Sequence, residues 1–209
     1  MVLRIVSREN ENKQQGERYK LSSEATQFFE LLKGRHSIRK FLPKDVAQWQ
    51  LDFLLQSANH APSAGNLQSY EIIVVTNEAY RKRLVKAAGG QDFLAEAPVC
   101  LIFCALPQRA ESQYGARGSN LYCVQDATIA ASYVQLAAST LGLGTVWVGA
   151  FDEGAVRSIL ELEEGNRPIV ILPVGQRGEE ATITSRKELK ELVRIIPDKF
   201  FTGVSTHET

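Results

Sequence analysis

The stretch that most restricts what this chain can fold into is the long, alanine-rich helical pattern from Asn120 to Leu141. Val124, Thr128, Ala131, Val134, Gln135 and Ala138 recur on one face of it. Small residues there permit close packing against a neighbouring layer. The pattern closes at Gly142-Leu143-Gly144, and an apolar strand pattern follows over Thr145 to Val148, then Gly149-Ala150-Phe151. These glycines do not make a dinucleotide fingerprint. A Rossmann glycine loop follows a strand and opens a helix, whereas this one ends a helix and opens a strand.

The remaining elements are shorter. A helix is expected from Ser22 or Ser23 to Gly34. A second begins near Asp45, with Asp45 and Gln48 as a capping box and Val46, Trp49, Phe53 and Ser57 as its buried stripe, and ends near Asn59 or His60 before Pro62. Asn77 caps a helix to about Ala88, Asp152 caps one to Leu160, and a last helix runs from Glu188 to Ile195. Strands are expected over Tyr70 to Thr76, Val99 to Leu106 and Ile169 to Val174. The polar run from Pro107 to Ser119 reads as a surface excursion and a candidate substrate lid. Helices and strands in comparable number give an α+β or α/β domain. Residues 1–20 are expected to form a mobile arm, and 21–209 a single domain.

With 209 residues the chain is long enough for one domain and too short for two comfortable ones. Lys+Arg and Asp+Glu both total 24, so no overall basic field argues for nucleic acid. No apolar run approaches a membrane span, and the N-terminus lacks the apolar core of a signal peptide, so a cytoplasmic location is expected. Cys100 and Cys104, in one strand, would be about 13 Å apart and beyond disulfide reach. Cys123 has no His or Cys at ligand spacing, and with His36, His60 and His207 scattered, no metal site is expected.

Any anion site must therefore be local. Gly34-Arg35-His36-Ser37-Ile38-Arg39-Lys40-Phe41 concentrates cations and a hydroxyl where the first helix ends. In an extended conformation Arg35, Ser37 and Arg39 project to one side, while His36, Ile38 and Lys40 face the other. Two guanidinium forks and a hydroxyl suit a phosphate, since each fork can give two parallel charge-assisted bonds. Taken alone, the octapeptide reads more readily as a solvated basic turn. Ala61 to Gln68 is a small-residue loop that lets the backbone approach a flat ligand, or a plain helix-to-strand turn. Trp147 can be core packing or a ring contact, and Gly149 a turn residue.

Taken in order, these segments resemble the nitroreductase family of FMN-dependent oxidoreductases. The resemblance is carried by Arg35 to Phe41, Pro62 to Gln68, Gly142 to Phe151, Leu172-Pro173-Val174-Gly175 and Arg186-Lys187. It implies an α+β fold with a central, mainly antiparallel sheet flanked by helices, and an intertwined homodimer with two FMN sites at the subunit interface. By position, Arg35 and Ser37 resemble the phosphate ligands, with His36 beside them, and Arg186 the C-terminal cation that closes on the same phosphate. Arg39 resembles the cation at the pyrimidine edge of the flavin. Pro62, Ser63, Ala64, Asn66 and Gln68 fall in the loop donated by the partner subunit, with Asn66 near the ring. Trp147, Val148, Gly149 and Ala150 resemble the segment lining the ring, with the Gly149 N–H directed at N5.

The activity so implied is hydride transfer from NADH or NADPH, through tightly but non-covalently bound FMN, to a small planar acceptor such as a nitroaromatic or a quinone. A flavin carrier or sensor without turnover, and a specialised reaction such as reductive dehalogenation or flavin fragmentation, are the other readings. The chain departs from the family pattern at His36, where many members have Arg, and at Ser69, where proline is usual. Gly149 stands where some have Glu, and Thr184 where some have a phosphate-binding Lys.

Overall fold

In a computed structural model of the chain, residues 21–196 are described; the arm expected over residues 1–20 and the tail from Pro197 lie outside them. The sheet is built on a strand in which every side chain from Val99 to Ala105 is buried, as an inner strand covered on both faces requires. Four strands, β1 (Tyr70–Val75), β2 (Val99–Ala105), β3 (Leu143–Thr145) and β4 (Arg167–Gln176), lie in the order β1-β2-β4-β3, all antiparallel. The register sets Tyr70 opposite Ala105 and Val99 opposite Val174. β4 runs two residues beyond the expected Val174, because Gly175 and Gln176 pair with Gly144 and Leu143.

Strand alternation divides the core into two layers. Leu101, Phe103, Val170, Leu172 and Val174 meet α2 (Gln48–Asn59) and α6 (Cys123–Thr140) on one face. Cys100, Ile102, Cys104 and Ile171 meet α3 (Glu78–Ala87), the short α4 (Phe93–Glu96) and α7 (Glu153–Leu160) on the other. The alanines of the long helix do what their size allows: Ala127, Ala130, Ala131, Ala137 and Ala138 are all buried against the sheet. Helix starts follow local capping. Ser22 Oγ accepts from Ala25 N at the start of α1 (Ser23–Gly34), Asn77 Oδ1 from Ala79 N before α3, and Asp152 Oδ1 from Ala155 N before α7.

Three expectations need correction. α2 buries Gln50, Leu54 and Ala58, while Trp49 and Phe53 stay 62% and 45% exposed. The cap is also different: Gln50 reaches back to the Ala47 N–H, and no Asp45–Gln48 box forms. Residues 107–119 are not a loop. They form α5 (Pro107–Arg117), kinked where Gly115 takes φ +54°, followed by a wide helical turn over Gly118–Tyr122 that leads into α6. Pro at the first helical position and a buried Ala110 explain why so polar a segment is helical.

Cys100, Cys104 and Cys123 are buried and free, and burial pushes the Cys100 and Cys104 thiols up to about 12. The compact unit spans Ser22–Thr182. The residues from Ile183 belong to a second unit, and in it α8 is only the turn Leu189–Leu192, shorter than the expected helix.

Candidate functional site

The basic segment leaves α1 in extended conformation and is sewn to the sheet edge. Ser37 pairs in parallel with Thr145, the Ile38 N–H donates to Thr145 O at 3.0 Å, and Phe41 pairs antiparallel with Arg177. Gly178 N donates to Lys40 O at 2.8 Å and Leu42 N to Gln176 O at 3.0 Å. Alternation then buries Ile38, 1% exposed, and leaves Arg35 and Ser37 half-buried with Arg39 in solvent. Close approach is paid for with glycine. A Cβ on Gly144 would lie 2.8 Å from Ile38 Cγ2, and one on Gly175 would lie 2.7 Å from Pro98 Cδ and 3.0 Å from Phe41 Cδ1. Neither Arg35 nor Arg39 is in an ion pair among the described residues.

Beyond β3 the chain stays on the same edge. Val146 and Val148 are each 2% exposed, and Val148 exchanges backbone hydrogen bonds with Ile171 at 3.1 and 3.0 Å. Alternation therefore turns Trp147 and Gly149 outward. The Gly149 N–H makes no backbone hydrogen bond among the described residues. A Cβ there would meet nothing closer than Trp147 Nε1 at 3.4 Å, so glycine is not sterically required.

The small-residue loop stands at the opposite edge, just before β1. Gly65, Asn66 and Gln68 all take left-handed φ values, +56°, +57° and +48°. For the two that carry a Cβ the conformation costs of order 1–3 kcal/mol each, so the surroundings must hold it. Ser63 Oγ accepts from Gln68 N at 3.0 Å, and the Arg109 guanidinium donates to Gln68 O at 2.7 Å. A Cβ on Gly65 would lie 2.4 Å from Tyr114 Oη, so at this left-handed position glycine spares the tyrosine a shift. Asp126, 2% exposed in the first turn of α6, accepts from Ala64 N at 3.0 Å with Oδ1 and from Ser69 N at 3.2 Å with Oδ2. Ser69 is fully buried, and its hydroxyl has no partner among the described residues. Pro62, Ser63, Ala64, Tyr122, Val124 and Asp126 help line an open cavity of about 470 Å³. Tyr122 meets Tyr114 edge-on at 5.1 Å and takes the Arg117 guanidinium over its ring at 5.4 Å.

The expected residues thus fall into two groups. Arg35, His36, Ser37 and Arg39 share an edge with Trp147, Val148, Gly149 and Ala150, while Pro62, Ser63, Ala64, Asn66 and Gln68 belong to the other edge. Arg186 lies in the second unit, exposed, donating to Thr184 Oγ1 at 3.2 Å.

Comparison with known proteins decides the family. The nitroreductase family model matches residues 32–91 and 85–176, most of the chain. The chain belongs to the nitroreductase family. It is 35% identical over 144 residues to an FMN reductase (NAD(P)H) of Bacillus subtilis, covering 64% of this chain and 57% of that protein's length. It is 30% identical over 164 residues to an oxygen-insensitive NADPH nitroreductase of Salmonella typhimurium, covering 75% of this chain and 68% of the relative. Among solved structures, NfrA2 of B. megaterium matches with TM-score 0.75 at 28% identity, covering 84% of this chain and 76% of that one. The NADPH:FMN oxidoreductase of Vibrio harveyi, solved with NAD+, matches with TM-score 0.75 at 25% identity, covering 82% and 78%.

As a nitroreductase-family fold, the chain keeps the expected central antiparallel sheet flanked by helices. Sequence reasoning missed Asp126, Arg109 and Tyr114. The available signal was a carboxylate among alanines at the start of the longest helix, on the face that proves to be buried.

Proposed function

We infer that the protein is an FMN-dependent oxidoreductase that draws on NADH or NADPH and reduces a small, planar, electron-poor acceptor such as a nitroaromatic or a quinone. The observation that carries this reading is the seam between Ser37 and Thr145. Among the described residues, it sets two guanidiniums in no ion pair and a hydroxyl on the same edge as an outward Trp147 and a Gly149 N–H without a backbone partner.

That donor set fits FMN. Arg35 and Ser37 would hold the phosphate through charge-assisted hydrogen bonds, with the backbone of His36 beside them. FMN, when bound there, would supply two-electron redox chemistry at its N5 position. Arg39 would offset the negative charge that develops at the N1 and O2 edge of the ring, and the Gly149 N–H would orient N5. Trp147 and Ala150 would line the ring and keep its surroundings apolar, favouring flat acceptors, while Val148, its side chain buried in the core, would contribute only backbone.

The second half of the site supports a homodimer. In the strand order the basic segment lies outside β3, and β1 is at the far side of the sheet. Four strand spacings separate them, about 19 Å. A second copy would bring its Pro62–Gln68 loop to the first copy's cations. Apolar side chains left in solvent by one chain agree with such an assembly: Phe28 is 54%, Leu32 41% and Trp49 62% exposed.

The test is spectroscopic. Purified protein should carry, or take up, FMN identified after denaturation. Under anaerobic conditions NADH or NADPH should then bleach the flavin absorbance within the time of a manual mixing experiment. Flavin that stays oxidised would make the protein a carrier, and protein that takes up no flavin would remove the reading altogether.

A further inference from the structure

We propose that Asp126, backed by Arg109, is the positioning residue of this site: a buried clamp that holds the Pro62–Gln68 loop in its flavin-contacting shape. The proposal rests on the flavin reading given above. Asp126 has no Lys or Arg partner among the described residues, although it is 2% exposed. An unpaired carboxylate is expensive to bury unless its oxygens are met by donors. Here one oxygen takes Ala64 N and the other Ser69 N, so the two ends of the loop are tied to one side chain on the long helix. Between those ties lie all three left-handed residues, Gly65, Asn66 and Gln68.

Arg109 completes the arrangement from outside, donating to Gln68 O at 2.7 Å. The Ser69 tie needs a backbone N–H at that position. A proline at that position has no N–H to offer, whereas Ser69 does. Its hydroxyl is buried and has no partner among the described residues, whereas its backbone N–H meets Asp126. Asp126 touches no ligand in this scheme; it acts through the loop.

The experiment compares Asp126→Asn, Arg109→Ala and a control, Leu84→Ala, which removes a fully buried side chain from the opposite layer of the core. Two readouts are taken on the full chain: amide exchange at Ala64 and Ser69 relative to core strand amides, and the FMN dissociation constant by titration. Asp126→Asn keeps the shape but replaces one acceptor oxygen with a donor. It should speed exchange at both amides at least about tenfold relative to the core and weaken FMN binding about 10- to 100-fold. Arg109→Ala should move both readouts in the same direction by a smaller factor, about threefold. Leu84→Ala should lower overall stability and leave the relative exchange and the FMN constant within about twofold.

Unchanged relative exchange in Asp126→Asn overturns the clamp, as does an equal loss of FMN affinity in Leu84→Ala. Should Asp126→Asn fail to fold, Arg109→Ala decides, and no change in either of its readouts overturns the proposal. Wild-type protein that binds no FMN sinks the flavin reading alone, because the exchange readout still judges the clamp.

Discussion

Arg35 leaves the end of α1 with its backbone N–H closing the last turn on Leu31 O and its guanidinium in no ion pair among the described residues. A cation kept half-buried without a carboxylate invites an anion. Arg35→Ala should weaken FMN binding by about 1.5–3 kcal/mol, the scale of a hydrogen bond to a charged group. That is about 10- to 100-fold in the dissociation constant, read by titration of flavin fluorescence. Arg35→Lys should recover only part of it, since an ammonium cannot give two parallel bonds. Unchanged affinity in Arg35→Ala removes this residue from the phosphate site. Arg35 and Ser37 were legible in the sequence because extended alternation is a local rule. Asp126 was not, because its partners lie 62 and 57 residues away, and a carboxylate near a helix start reads as solvent-facing.

At the scale of elements, the seam between the basic segment and β3 depends on an absent methyl group. Gly144→Ala would place a Cβ 2.8 Å and 2.9 Å from Ile38 Cγ2 and Cβ, with no flexible side-chain end to yield. Overpacking of that kind costs about 1–3 kcal/mol. Urea denaturation should show the loss, and FMN affinity should fall with it, because Arg35 and Arg39 ride on the displaced segment. A variant that keeps both would show that the seam tolerates being spread. Helix starts were readable wherever a side chain caps its own helix, as Ser22, Asn77 and Asp152 do. The face of α2 was not. Trp49 and Phe53 form one apolar stripe and Leu51, Leu54, Leu55 and Ala58 another, and composition cannot say which meets the sheet. The polar helix α5 escaped notice for a related reason: its order comes from Pro107, Ala110 and the docking of Tyr114 over Gly65, not from an apolar stripe.

For the whole molecule, the strand order distributes the two halves of the site to opposite edges, so the proposed function is bound up with assembly. Sedimentation velocity should report a dimer at micromolar concentration. Trp49→Glu, on a side chain that one chain leaves 62% exposed, should weaken association about tenfold or more and lower FMN affinity along with it. Trp49 is in none of the flavin-contacting segments. A monomeric wild type, or a monomeric variant with undiminished FMN affinity, would contradict the shared site. The family fold was legible from the order of five short segments, whereas this division between edges needed the sheet order.

One helix extends that argument. None of the side chains of α1 is buried, and twelve residues are too few to hold a helix in water without packing. It touches α6 within the chain, but part of its stiffness must come from whatever lies over it, and Arg35, the proposed phosphate ligand, follows directly from its last turn. Under the dimer reading, dilution would therefore loosen the helix, and the yellow colour of the protein would fade from the macromolecular fraction as the solution thins.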